Sequence, residues 1–221
     1  MNIHSVMPLN AVARRSRPAS AATAAPADAP PGPKRDAILR AAIDVFAERG
    51  FFNAQVADVA RAAGVAAGTV YLYFKGKDDL LVSIFERSMR EGLTLGRAAV
   101  ANLRDPRERL LRLARAHLAR LGHDRNLAIV FQVELRQSTK FMERLSATLL
   151  RDYLGLIREA IADGQREGLF RADVKATAAA KMLFGALDEM ATNWILSRRR
   201  YSLEAEADAV VDLFINGARA R

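Results

Sequence analysis

Apolar residues recur every three or four positions from Lys34 almost to the C-terminus, which is the spacing of one face of an α-helix. Ile38, Ala42, Val45 and Phe46 form the first stripe, and Gly50 stands where that helix should stop. Two short helices are predicted over residues 55–63 and 67–74. Lys77-Asp78-Asp79 then opens a long helix with Leu80, Leu81, Ile84 and Phe85 on its inner face. Asp105-Pro106 starts another, since Pro is tolerated in a first turn. Leu110, Leu113 or Ala114, His117 and Leu121 follow, and Gly122 is expected to end it. Further helices are predicted over Asn126 to Gln137, over Phe141 to Glu167 with Gly168 as the stop, and over 173–198 and 203–219. Alternating Val/Ile/Thr runs and Asn-Gly turns are nearly absent, so the pattern predicts an all-α chain.

Residues 1–33 break this pattern. They are rich in Ala, Pro and Ser, end in Pro30-Pro31-Gly32-Pro33, and read as a disordered arm.

The segment Gln55 to Lys77 carries the most specific signal. Ala60, Gly64 and Val70 have the spacing of a helix-turn-helix. A small side chain is needed where the two helices approach, a glycine supplies the left-handed turn, and Val70 seals the core with Val56, Val59 and Val65. The second helix is then free to enter a major groove. Thr69, Tyr71, Tyr73 and Lys75 offer hydroxyls and a cation to phosphates, and Ala66, Ala67 and Leu72 suit base edges or thymine methyls. Gln55, Gly68 and Lys77 complete the candidate DNA-binding set, while Phe74 is expected to pack between helices.

Composition narrows the chemistry. Hydrophobic residues are 51% of 221, enough to bury a core. There is no Cys and only three His, none spaced as a metal pair, so a disulfide framework, a thiolate nucleophile and a metal site are not expected. No nucleophile–base pair or phosphate loop suggests an enzyme. The net charge of +9 points to a polyanionic partner, yet residues 1–80 hold 10 Lys/Arg against 7 Asp/Glu and the remainder 24 against 18. Most of the excess therefore lies outside the helix-turn-helix. No apolar run reaches membrane-spanning length, and Arg14, Arg15 and Arg17 are followed by no greasy export segment, so a cytoplasmic location is expected.

With Gly68-Thr69-Val70-Tyr71-Leu72-Tyr73-Phe74 and Lys77-Asp78-Asp79-Leu80, the segment Ile38 to Leu80 resembles the DNA-binding domain of TetR/AcrR-type repressors. The resemblance implies Thr69, Tyr71, Tyr73 and Lys77 as backbone contacts, and a three-helix DNA-binding domain over 34–80 followed by a ligand-binding and dimerisation bundle over 81–221. It also implies a homodimer through the last two helices. Stripes Leu183, Leu187, Met190, Trp194 and Ala207, Val210, Phe214, Gly217, with small Ala178, Ala179, Gly185 and Ala186, suit that position, although some members must face their own core. A dimer reads double-stranded operator DNA through half-sites about 34–36 Å apart or a multiple.

Residues Asn126 to Ser138 and Phe184 to Glu189 look like FadR-type members of the family, which repress fatty-acid degradation genes and release DNA on binding long-chain acyl-CoA. That effector, with no other cofactor, needs an apolar tunnel and cations at its mouth. Leu127, Val130, Phe131, Leu183, Phe184, Leu187 and Trp194 are candidates for the tunnel, and His123, Arg125, Asn126 and Arg136 for the polar end. Each has a plainer alternative. The apolar residues also suit a core, Arg136 also suits pairing with Glu134 or Asp188, and His123 suits a loop. A repressor sensing another hydrophobic molecule, such as a cationic drug, and a helical acyl-CoA-binding protein or enzyme without DNA binding stand as alternatives.

Overall fold

The computed structural model describes residues 32–134 and 146–218. The arm before residue 32 and the candidate Arg136 lie outside them.

Helix α1 (Pro33–Arg49) begins with a proline in its first turn, one residue inside the expected arm, and ends at Gly50 with φ of 76°. Helices α2 (Val56–Ala62) and α3 (Ala67–Tyr73) follow, joined through Gly64 at φ 66°. A side chain there would sit in the left-handed region that L-residues avoid, which is why the turn takes glycine. Ile38, Phe46, Val59, Ala60, Val70 and Phe74 close the small core beneath, and Leu80, Leu81 and Ile84 of α4 (Lys77–Val100) join it. Each such Leu, Ile or Phe contributes about 1.5–3 kcal/mol when fully buried.

The second half is a bundle of α5 (Pro106–His123), α6 (Arg125–Ile129), α7 (Arg151–Arg166), α8 (Ala176–Leu196) and α9 (Glu206–Ala218). Its centre holds Leu110, Leu113, Leu118, Ile157, Leu183, Leu187 and Ala191. Helix α4 packs on α5 and α7, so one rod belongs to both halves. Among the described residues no helix is long and apolar enough to cross a membrane.

Two expectations need correction, and a third, left open, is settled. Gly122 does not end α5, which runs to His123; the break comes at Asp124, whose carboxylate accepts the Leu127 N–H at 3.0 Å and caps α6. Gly122 serves close packing instead, because a Cβ there would lie 3.3 Å from Leu203 Cβ. The segment after Asn126 is not one uniform helix: α6 widens into a π-helical turn over Val130–Glu134, and a second such turn, Ser146–Leu150, precedes α7. Such turns are rare and concentrate at functional sites. Finally, the expected division of the last two helices resolves as follows: Leu183, Leu187 and Ala207 face their own core, with Met190 and Trp194 packed against it. Of the expected set Ala178, Gly185, Ala186 and Gly217 are exposed, and Met182 and Leu213, not singled out in the sequence, lie exposed with them. Met182 is 66% and Leu213 74% exposed, a large apolar surface for a chain in water.

Candidate DNA interface and effector cavity

The candidate reading surface is built at the N-terminal end of α2 and along α3. Gln55 stands at the N-cap of α2, and its N–H donates to the Asp58 carboxylate at 3.1 Å. That carboxylate also pairs with Arg49 at 2.9 Å and Arg61 at 3.1 Å. The Gln55 N–H, followed by the two arginines, holds Asp58 below the usual carboxylate range. With Val70 locked inward, α3 leaves Ala66, Ala67, Gly68, Tyr71 and Leu72 exposed, Thr69 half-buried, and Lys75 exposed just beyond its end. Tyr71 and Leu72 are 51% and 68% exposed. Tyr73 is half-buried and packs against the core beside the fully buried Phe74. Lys77 is held back: its Nζ donates to the Phe52 carbonyl at 3.0 Å and lies 4.6 Å from the centre of the Phe51 ring. Phe52, 62% exposed beside this surface, went unnoticed in sequence, because a Phe-Phe pair after a helix stop reads as core.

A cavity lies in the second half, with about 840 Å³ of space when the solvent at its open mouth is included. Phe85, Met89 and Leu95 of α4, Leu121 of α5, and Leu150 supply apolar wall. Phe131 closes one side, stacked on Phe85 with ring centres 5.3 Å apart, and Phe184 closes another. Polar groups interrupt this lining at three places. Arg120 donates to the Ser88 hydroxyl and lies 3.4 Å from Glu91. Gln132 donates to Asp188 at 2.7 Å and accepts from Thr192 at 3.2 Å. His117 Nδ1 meets the Tyr153 hydroxyl at 3.2 Å, while its Nε2 is buried with no partner among the described residues. Burial, with Arg120 adding a little, drives the His117 pKa down to about 4, so the ring is neutral; burial likewise pushes the Tyr153 hydroxyl up.

Of the residues proposed from sequence for the effector, Phe131 and Phe184 line this cavity. Leu127, Val130, Leu183 and Leu187 are buried in the surrounding core. Arg125 does not line it: the guanidinium donates to the Trp194 and Ile195 carbonyls at 3.2 and 2.6 Å and stacks over the Trp194 ring. Trp194 donates to the Tyr201 carbonyl at 3.1 Å, which ties the α8 end to the following loop. His123 is exposed at the end of α5. Asn126 reaches the other half of the molecule, donating to Asp44 at 2.8 Å. His117, Arg120, Gln132, Tyr153 and Asp188 were not picked out as effector residues from sequence.

The two halves are clasped together. Arg40 of α1 pairs with Asp44 and with Asp124, and Arg87 of α4 pairs with Asp36 at 2.6 Å. The Asp44 bond and the Asp124 pair hold Arg40 above its ordinary range, and Arg40, aided by Asn126, holds Asp44 below its own. Buried Glu134 accepts the Phe51 N–H at 2.7 Å, gripping the loop that leads into α2. Phe131, Gln132 and Glu134 belong to one π-helical turn, so that turn touches the cavity and the helix-turn-helix half alike. Among the described residues no group of His, Cys, Asp or Glu could hold a metal ion.

A helix-turn-helix with its second helix presented outward, and a largely apolar cavity joined to it by a shared helix, are the arrangement of a ligand-responsive DNA-binding regulator. Comparison with known proteins specifies the kind. Residues 38–84 match bacterial regulatory proteins of the tetR family, and residues 85–217 match the YsiA-like protein C-terminal region. The fatty acid metabolism regulator protein of Bacillus subtilis (strain 168) is 35% identical over 185 residues, spanning 84% of this chain and 95% of that protein. The fatty acid degradation regulator FadR from Bacillus halodurans superposes with a TM-score of 0.81 at 39% identity, covering 87% of this chain and all of that one. FadR from Bacillus subtilis, solved in complex with stearoyl-CoA, gives a TM-score of 0.78 at 34% identity over 83% of this chain and 99% of that one. The chain belongs to the TetR family of transcriptional regulators and is not an enzyme.

Proposed function

We propose that this protein represses fatty-acid degradation genes from operator DNA and leaves the DNA when a long-chain acyl-CoA fills the cavity. The carrying observation is the cavity itself: walls of Phe85, Met89, Phe131 and Phe184 accept an alkyl chain, and each added methylene buried there contributes about 0.8 kcal/mol. The similarity to a FadR that holds stearoyl-CoA supports the same ligand class. In this reading residues 34–80 read DNA and 81–221 sense the effector and dimerise, in the bacterial cytoplasm. Thr69, Tyr71, Leu72 and Lys75 face the operator with Gln55, Ala66, Ala67 and Gly68 alongside, and Tyr73 and Lys77 hold the surface in shape as well as lying near phosphate. The exposed face of Ala178, Met182, Gly185, Leu213 and Gly217 pairs with its copy, which places two α3 helices on one operator.

Switching follows from the shared turn. A chain entering beside Phe131 and Gln132 displaces the turn that carries Glu134, and through Phe51 N–H repositions the entry to α2. The test is binding to DNA upstream of the gene itself and its neighbours, titrated with acyl-CoAs of increasing length. Release by long chains and not by short ones is expected. Release by unrelated drugs but not by acyl-CoA would make it a repressor of another hydrophobic signal, and no DNA binding at low salt would make it a carrier.

A further inference from the structure

Arg120 is a charge set into a largely apolar wall, and a plain acyl chain gives it no partner. We propose that Arg120 and His117 form a carboxylate-binding point inside the cavity, so that the site also takes long-chain carboxylates; this rests on reading the cavity as the effector site.

Arg120 stands on α5 with only 17% of its side chain exposed. Its two contacts share one terminal nitrogen: Nη2 donates to the buried Ser88 hydroxyl and lies 3.4 Å from Glu91, which is itself exposed. Among the described residues its Nε and Nη1 donate to nothing. A guanidinium has five N–H donors and no acceptor, so most of this donor capacity is open to an incoming oxygen. A cation withdrawn from water with one hydroxyl and one long ion pair is poorly compensated, and an anion beside it restores the balance.

His117, one turn earlier on α5, lines the same cavity, and its buried Nε2 has no partner among the described residues. The Tyr153 hydroxyl beside its Nδ1 has no other hydrogen-bond partner among them either. Donation from that hydroxyl to Nδ1 puts the single hydrogen of the neutral ring on Nε2. A carboxylate accepting from Nε2 and from Arg120 satisfies both, and its alkyl chain then lies along Phe85, Met89 and Phe184. The other polar groups of the lining are matched already. Gln132 donates to Asp188 and accepts from Thr192, so the acidic group of the wall is held on the α8 side and α5 is the side that receives an anion.

The test uses the full-length protein and calorimetry with palmitate, palmitoyl-CoA and the mono-CoA thioester of hexadecanedioate. Wild type is expected to bind palmitate, or to bind the hexadecanedioate thioester more tightly than palmitoyl-CoA. The first result makes the carboxylate that of a free fatty acid, and the second makes it one carried at the far end of a CoA-linked chain. In Arg120→Met, with folding checked by a cooperative melt, affinity for that carboxylate falls about tenfold or more relative to palmitoyl-CoA. Arg120→Lys recovers part of it, and His117→Phe gives a smaller loss of the same kind. A wild type that shows neither result overturns the carboxylate site without recourse to any variant, and leaves the acyl-CoA reading standing when palmitoyl-CoA binds. Undiminished carboxylate binding in Arg120→Met, or an equal loss for palmitoyl-CoA, also overturns it. Palmitate binding without palmitoyl-CoA binding keeps the site and overturns the acyl-CoA reading.

Discussion

Replacing Glu134 tests whether the cavity and the DNA-reading half are mechanically joined. Its buried carboxylate accepts the Phe51 N–H at 2.7 Å across 83 residues of chain. In Glu134→Ala that N–H loses a charge-assisted partner inside the protein, at a cost of about 2 kcal/mol. For a chain of this size each kcal/mol lowers the melting temperature by about 2–4 °C, so a fall of roughly 4–8 °C is expected by calorimetry. Glu134→Gln keeps an acceptor oxygen without the charge and should fall by about half as much. Effector affinity, read by titration in the absence of DNA, should hardly change, since Glu134 does not line the cavity. The ratio of operator affinities with and without acyl-CoA should shrink, because the turn no longer pulls on the loop into α2. A melting temperature within 1 °C of wild type together with undiminished release by effector would refute the coupling.

Tyr71→Ala, at a half-exposed position, is expected to weaken operator binding while leaving effector binding and dimer mass intact; equal loss of effector binding would make Tyr71 a folding residue. Met89→Trp should fill the cavity, abolish release by acyl-CoA in a gel-shift titration, and leave a repressor that stays on DNA, at a stability cost of about 1–3 kcal/mol. The neutral His117, with its pKa lowered to about 4 against 6.5 when unfolded, makes the unfolded chain bind more protons between those values. Stability should therefore decline by about 3 kcal/mol from this residue as pH falls from 6.5 to 4 and level off below, and His117→Gln should flatten that part of the melting curve against pH.

Helix positions were legible because each buries a stripe, and a stripe leaves a period of about 3.6 in the sequence. Gly50, Gly64 and Gly168 were read correctly as stops or turns, and all three have positive φ. Gly122 misled because a glycine needed for contact with Leu203 looks the same in sequence as one needed for a turn. The π-helical turn at Val130–Glu134 left no trace, since a wider turn demands no particular residue type. The helix-turn-helix was visible as a motif, whereas the cavity was not. Its walls come from five separate segments, and a tunnel lining has the same composition as a core. Phe131 and Phe184 emerged through resemblance, while Arg120, Tyr153 and Asp188 are polar residues at inward positions that no spacing connects. Arg125 shows the converse: a cation in the right neighbourhood, already committed to two backbone carbonyls.

Helix α4 has 24 residues, a rod of about 36 Å, with Lys77 at one end and Met89 against the cavity roughly 18 Å away. A tilt of about 5° about Met89 therefore swings Lys77 through about 1.6 Å. Two copies tilting outward together would part their reading surfaces by about 3 Å, comparable to the 3.4 Å rise of one base pair. In the proposed dimer a motion no larger than a methyl group at the ligand would thus be enough to put the two copies out of phase with a rigid duplex, and such a sensor would need no large rearrangement to let go.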